Sequence, residues 1–536
     1  MTTFGIPNSV LYNTFLMAGT QALGILTAPG PRRATKEDLS INPGDAANVW
    51  PYIAGTVLMT PHLITYFDFS SKKVKNDVGI DEILLSAGLS ALGAGLATEA
   101  ALPDVAGVSP PGKFAKVSQA ATLGGLIGGF TAGLSAIRTE SYRYYCGFAY
   151  GVCHGPIDAI EEVQAGDRAV FINGTNNAGG TLLIDDPQAW GGDHKEGGMY
   201  ALCDVVRGDY WPTQAPNSYL VAQLGASVPA YSGKALFVIR GPSGYRESGY
   251  FSATAGDAPF LRPLKLRVKR LPDNLGVPAY KAINTHDANP AECCYEWLTS
   301  ASFGAKKIAA TKIDRASFQA GALTHFTEGL GFSDEINSET DVETALDMFC
   351  AHSNCIIFGG FRSPGSIKYK AIRRDYSIAT LPVFTRGYAS TVTTAATYNV
   401  IRTEGYTPGA WAETANDFRF EYTDRDNKFQ RTTRHAQDLA NRMIQGRTVP
   451  LSVGLRGVST GATAALVGTR EMRAGSYPRP PLTLVVNRDG YALEPGSVLK
   501  YVDNVDSLSK ILRVAEVTQT GAANGEIKLV CTEDVY

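Results

Sequence analysis

The chain has 536 residues, too many for one hydrophobic core, so about two to four domains are expected. Hydrophobic residues make up 44% and charged residues 19%, which excludes a disordered chain. Lys and Arg number 49 against 51 Asp and Glu, a net charge of -2 that excludes a globally basic nucleic-acid or membrane binder. A local basic run remains at 264–270, "LKLRVKR".

The opening stretch, "MTTFGIPNSVLYNTFLMAGTQALG", lacks the positive start of a secretory signal, so synthesis and folding in a cytoplasm are expected. With 56 Gly, 25 Tyr, 22 Phe and many short alternating runs, the chain reads as mainly β with α+β parts. Residues 49–69 predict two strands around Gly55. "YRYYCGFAYGVC" (142–153) alternates and stops at "HGPI". Residues 161–174 predict a hairpin turning at Gly166-Asp167, and 234–240 and 264–271 are further strands. "NPAECCYEWLTS" (289–300) predicts a helix with Asn289 as cap and Pro290 at its first position. A second helix over 341–353 has Asp341 as cap and Val342, Leu346 and Phe349 on one face. Residues 366–375 predict a strand, and 463–474 a short helix. Residues 481–503 alternate, with turns at Asp489-Gly490 and Pro495-Gly496 of the kind that close β-barrel hairpins.

No motif supplies a catalytic constellation. "GVSTG" (457–461) has the spacing of a nucleophile elbow around Ser459, but every histidine precedes that serine, whereas the elbow fold needs one after it. A Gly-rich turn is the better reading. "CAHSNC" places Cys350, His352 and Cys355 together, yet a zinc site needs a second ligand pair, and none is evident. The other cysteines, Cys146, Cys153, Cys203, Cys293, Cys294 and Cys531, form no CxxC pair and read as buried thiols. "TDRDNKF" (423–429) starts like a calcium loop at Asp424 and Asp426 but lacks the glycine and the terminal glutamate. No catalytic residue, cofactor or metal site is therefore assigned, and an enzyme is the weaker class.

One stretch stands apart. From Val117 to Ile137 the chain has 21 uncharged residues, about 32 Å as a helix. Its large apolar residues favour membrane insertion by roughly 2–4 kcal/mol in sum. Gly124, Gly125, Gly128, Gly129 and Gly133, with Ser, Thr and Gln, offset much of this. The same glycines suit close helix packing, and "ILLSAGLSALGAGLAT" (83–98) offers a partner. A small-residue-rich helical hairpin over 81–137 is expected. It would pack in an assembly, plug a lumen or contact a host membrane.

Five stretches, in one order, resemble the central hub proteins of phage tail tips, including the lambda-type tip attachment protein and gene transfer agent hubs. They are "NVWPYIAGTVLMTPHLITYF" (48–67), "ESYRYYCGFAYGVCHGPIDAIEEVQAGDRAVF" (140–171), "VPAYSGKALFVIRG" (228–241), "NPAECCYEWLTSASFG" (289–304) and "LEPGSVLKYVD" (493–503). The family's turn positions fall on Gly155, Pro156 and Ile157, and on Pro495 and Gly496. Ser497 stands where the family usually has Asp, and about sixty residues replace a short link before residue 139.

The resemblance implies two hub-type β-barrels and a mixed α/β domain between them. The expected division is an arm at 1–44, a first barrel at 45–80 and 139–275 with the hairpin 81–138 inserted, a mixed domain at 276–384, and a second barrel with a helical insertion at 385–536. It also implies a homotrimer at the distal end of the virion tail, matching a sixfold tube to a threefold tip and gating DNA ejection. Expected partners are a distal tail protein ring, the tape measure protein and separate receptor-binding fibres, since long receptor-binding extensions are missing. DNA would pass without specific binding. The alternatives from other classes are a tail-associated cell-wall-degrading enzyme and a membrane pore formed through 81–137.

Overall fold

A computed structural model of the chain describes residues 2–3, 6–7, 49–74 and 141–534, apart from 167, 171, 175–178, 191–196, 211, 246–247, 253–261, 306–307, 360–365, 388–397, 405–408 and 520–524. The expected hairpin at 81–138, with its five glycines, lies outside the described residues, as does most of the arm. No helix among the described residues is long and apolar enough to cross a membrane.

The first unit is two facing β-sheets. In one sheet, strand His62–Val74 pairs with Ser141–His154. Beyond it, Lys234–Ile239 and Tyr250–Ser252 lie end to end in a single strand position, each pairing with both Ser141–His154 and Met199–Val206. Ser248 fills the gap between the two half-strands: its hydroxyl accepts from Leu202 N at 2.9 Å and donates to Arg240 O at 2.7 Å. Thr181–Asp186 and Ile172–Gly174 complete that sheet.

The second sheet runs Asp334–Ile336, Tyr52–Met59, Leu264–Arg270, Ala159–Ala165, Arg168–Val170. Strict alternation along Leu264–Arg270 turns Leu264, Leu266, Val268 and Arg270 inward and leaves Lys265, Arg267 and Lys269 at the surface side. The apolar residues join Phe148, Tyr150, Val163, Cys203 and Phe237 in one core between the sheets. Each such side chain contributes roughly 1.5–3 kcal/mol by leaving water.

The predicted strands at 142–153, 234–240 and 264–271 are present. The reading of 49–69 is corrected in one respect. The turn between its strands falls at Thr60-Pro61, and Gly55 lies inside the first strand at φ +76°. The reason is crowding from a distant segment: a Cβ on Gly55 would stand 2.0 Å from Ser333 Oγ and 2.5 Å from Phe332 O. Just there, Asp334–Ile336 adds antiparallel to Tyr52–Ala54.

The middle unit packs helices Pro290–Thr299, Arg315–Glu328 and Val342–Ser353 with the hairpin Cys355–Gly359/Ile367–Ala371. Both predicted caps are made: Asn289 Oδ1 accepts from Ala291 N and Asp341 Oδ1 from Thr344 N. Phe318, Phe332 and Phe349 centre its core, and Tyr52 and Ala54 of the first unit are part of it.

The last sheet runs Val383–Arg386, Val498–Asp503, Leu508–Gln519, Ile527–Glu533, Pro481–Val486, Val400–Glu404. Asn399 bridges its two ends. Its side chain donates to Val383 O at 3.0 Å and accepts from Thr385 N at 2.6 Å, nearly closing a barrel. The hairpin expected within 481–503 is corrected. Pro481–Val486 pairs with Ile527–Glu533, and Val498–Asp503 pairs parallel to Val383–Arg386. The turns at 488–496 therefore cross the barrel rather than join neighbours.

Between Glu404 and Pro481 sits an inserted unit that is α+β rather than helical. Asp417–Asp424 is flanked by Gln430–Gln437 and Pro450–Gly454, with helices Leu439–Gln445 and Gly461–Gly475. The latter helix rests on Phe420 and Phe418 through Gly468 and Gly475, where larger residues would collide with the rings.

Gly55→Ala should destabilise the chain by about 2–4 kcal/mol, because it strains the backbone and pushes on Phe332 O. Chemical denaturation compared with the parent protein checks this.

Candidate functional site: the buried junctions between units

The inward row of Leu264–Arg270 ends on a charge, and a buried charge must be paired. Arg270 is wholly buried. It donates to Glu296 through Nη2 to Oε1 at 2.5 Å and through Nη1 to Oε2 at 3.1 Å. It also donates to Ile53 O at 2.9 Å and Gly155 O at 3.3 Å, and its guanidinium lies 4.8 Å from the centre of the Tyr52 ring. Tyr52 Oη donates to Glu296 Oε2 at 3.0 Å. Burial alone would depress the Arg270 pKa, but the Glu296 carboxylate outweighs it and holds the guanidinium charged. Burial, and then neighbouring Cys293 and Glu296, push the Tyr52 phenol well up. The first and middle units thus meet around one ion pair.

A second junction centres on Asp287, which has no exposed surface. Its Oδ1 accepts from Ser333 Oγ at 2.6 Å, Arg425 Nη1 at 2.6 Å and Ser459 Oγ at 2.7 Å. Ser333 Oγ accepts in turn from Thr56 N at 3.2 Å. One carboxylate therefore collects the first unit, the middle unit and the insertion. Around it, Arg456 Nε donates to Asp334 Oδ2 at 2.5 Å, and Arg470 donates to the carbonyls of Ala351 and His352, both at 2.9 Å.

A third junction joins the middle unit to the barrel. Arg513 donates to Gly496 O at 3.1 Å, Arg373 O at 2.9 Å and Asp534 Oδ2 at 2.9 Å. Lys368 pairs with Glu494 at 2.7 Å.

The structure does not gather the sequence-flagged turn positions at one place; it sets them at separate junctions. Gly155, in a cis Gly155–Pro156 turn, gives its carbonyl to Arg270, and a Cβ there would lie 2.4 Å from Gly208 O. Ile157 is buried in the first core. Gly496, at φ +80°, faces Ile356, Lys370 and Ile372 across the third junction, and Pro495 precedes it. Ser497 holds that turn by accepting from Glu494 N at 3.1 Å.

Ser459 does not stand at the head of an elbow; it is buried with its hydroxyl committed to Asp287. His352 turns away from Cys350 and Cys355, setting Nε2 against Gly331 O at 2.9 Å and Nδ1 against Arg456 O at 3.2 Å. Burial holds it at about 4, so a neutral ring donates to only one of the two carbonyls. Cys350 and Cys355 instead join Cys294 in the middle core. Burial pushes the Cys294 thiol up to about 11. Among the described residues no group has the geometry of a metal site. Asp424 accepts from Asp426 N in a hairpin turn. Arg270, Glu296, Asp287 and Arg425 were missed as a set. The inward phase of Arg270 was the one signal available.

An open cleft of about 610 Å³ lies between the first unit and the insertion, lined by Leu58, Lys265, Glu335, Tyr422, Phe429 and Arg431 among others. Burial, and then Asp334, push the Glu335 carboxyl up to about 7.

These features define a multi-unit β-scaffold with ionic junctions. Residues 379–517, which take in most of the last barrel and the insertion, match the family model described as "Putative phage tail protein". Over that stretch the chain is similar to phage tail proteins. It shares its fold with a chain in the virion of a native gene transfer agent particle, at 12% identity and a TM-score of 0.51, over 98% of this chain and 94% of that one. Smaller likenesses include the tail protein from Neisseria meningitidis MC58, at 10% identity and a TM-score of 0.30, over 73% and 88% of the two chains. The 43 kDa tail protein of prophage MuSo2 from Shewanella oneidensis has 13% identity and a TM-score of 0.27, over 69% and 97%. No curated protein matches the chain in sequence.

Glu296→Ala leaves Arg270 charged and buried, and should cost about 3–5 kcal/mol in chemical denaturation. Arg270→Met combined with Glu296→Leu should restore most of that loss.

His325, whose Nε2 meets Tyr369 Oη at 2.7 Å and whose pKa burial lowers to about 3, contributes to the pH dependence together with His352 and His154, both lowered to about 4 chiefly by burial. The unfolded chain binds more protons than the native one between those values and about 6.5, so their contribution is complete above 6.5 and is lost as pH falls. Glu292 and Glu335, both raised to about 7 chiefly by burial, act oppositely, contributing below about 4.5 and losing this as pH rises through 7. His325→Gln should remove about 2 kcal/mol of the stability difference between pH 7 and pH 5. Denaturant titrations at the two pH values check this.

Proposed function

We propose that the chain is the central hub of a phage-type tail tip, a structural and non-enzymatic component at the distal end of the virion tail. The observation that carries this reading is the fold shared with a virion chain over nearly the full length of both, joined to the tail-family match in the last barrel. The two-sheet first unit and the nearly closed last barrel, held by directional junctions, suit a ring in which each subunit offers two β-modules. A homotrimer of such subunits meets a sixfold tube above and a threefold tip below. In that ring the partners are a distal tail protein, the tape measure and separate receptor-binding fibres, and the lumen passes DNA without binding it specifically. Gly155, Pro156, Ile157, Pro495 and Gly496 act in this reading as turns that fix the angles between units.

Light scattering on the purified chain should give three times the 57.2 kDa chain mass. Immunogold labelling of particles should place the protein only at the distal tail end. Gold on the capsid, with a monomeric mass, would sink the hub reading.

A further inference from the structure

The insertion differs from the other units in how it is attached. The first and middle units share a backbone ladder, Asp334–Ile336 on Tyr52–Ala54. Among the described residues the insertion's three strands pair only with one another. It has its own core around Phe418, Phe420 and Val467, to which Leu330 is the one outside contributor. The chain leaves the barrel after Glu404 and returns at Pro481, and the two crossings lie side by side. A Cβ on Gly409 would stand 2.9 Å from Pro478 and 3.2 Å from Pro480. Prolines at 478, 480 and 481 stiffen the return beside Gly409.

Away from these crossings, the attachments of the insertion to the middle unit are largely polar: Arg425 and Ser459 on Asp287, Arg456 on Asp334, Arg470 on the end of helix Val342–Ser353. We infer that the insertion, residues 411–475, is a hinged body latched by the Asp287 junction, able to swing about the crossings at Gly409 and Pro478 while the remaining units stay fixed. On opening, water takes over the hydrogen bonds of Asp287, Arg425, Ser333 and Ser459, Leu330 leaves the insertion's core, and Phe418, Phe420 and Val467 stay packed on one another. The cleft between the insertion and the first unit leaves room for the movement. This inference does not depend on where the chain sits in a tail.

Hydrogen exchange and spin-label distances on the full chain test it. Arg425→Ala removes the charged donor of the latch. Amides in 330–336 and 456–460 should then exchange at least tenfold faster, with Asp417–Asp424 and Val498–Asp503 at parent rates. Arg456→Ala, at an exposed position, should give a smaller rise in the same peptides. In a Cys350→Ser background, labels at Met443→Cys and Leu224→Cys should show a second distance population on adding Arg425→Ala. Parent-like exchange in both variants overturns the inference. So does loss of protection in Asp417–Asp424 together with the junction, or one unchanged distance population.

Discussion

The carboxylate of Asp287 sits where no solvent reaches it, and a buried carboxylate is tolerable only if fixed donors surround it. The donors come from far along the chain: Ser333, then Arg425, then Ser459. Ser333 can reach it because the segment just after it joins the edge of Tyr52–Met59, and that edge is open to it only because residue 55 is glycine. Arg425 and Ser459 reach it only when the insertion lies against the middle unit. Pairing one oxygen of this carboxylate, Oδ1, therefore ties three units together.

The Arg270–Glu296 pair works on the same principle with a different balance. There the ion pair sits among Tyr52, Ile53 and Gly155 and is backed by a shared ladder and by aromatic packing of Tyr52 on Trp297 and Phe303. Apolar burial supplies the holding energy, and the ion pair supplies direction. At Asp287 the proportions are reversed, with Leu330 and the contact of Phe332 at Gly457 as the main apolar elements. Two junctions of similar chemistry thus differ in how readily they come apart.

Much of the local structure was legible in the sequence, because local structure follows from local spacing. The caps Asn289 and Asp341, the alternation at 142–153 and 264–271, and the hairpin turn at Gly166 are all decided within a few residues. What was not legible depends on distant partners. "LKLRVKR" reads as a basic surface run, yet its last member is the most deeply paired arginine of the first unit. "GVSTG" reads as a turn, which it is, but its serine belongs to an aspartate 172 residues away. The strand pairing of the last barrel was not legible for the same reason. Val383–Arg386 lies parallel to Val498–Asp503 across the whole insertion, and alternation carries no information about which strand a strand will meet.

A chain that sets several β-rich units at fixed angles meets a problem that apolar packing solves poorly. Apolar faces slide with little change in buried area, since the hydrophobic term has no direction. Hydrogen bonds lose strength steeply when misaligned. Placing an arginine and a carboxylate at the seams, with backbone carbonyls of glycine turns as further acceptors, converts a small angular error into an unpaired buried charge. Gly155 at one seam and Gly496 at another both give carbonyls to arginines in this way, Arg270 and Arg513. Each turn also has a steric reason to be glycine: a side chain at 155 would strike Arg207 and Gly208 of its own unit, and one at 496 would strike Ile356 and Lys370 of the middle unit. At the Gly496 seam the angle between neighbouring units is therefore set twice, by polar pairing and by the absence of a Cβ, whereas at the Arg270 seam the ion pair with Glu296 sets it.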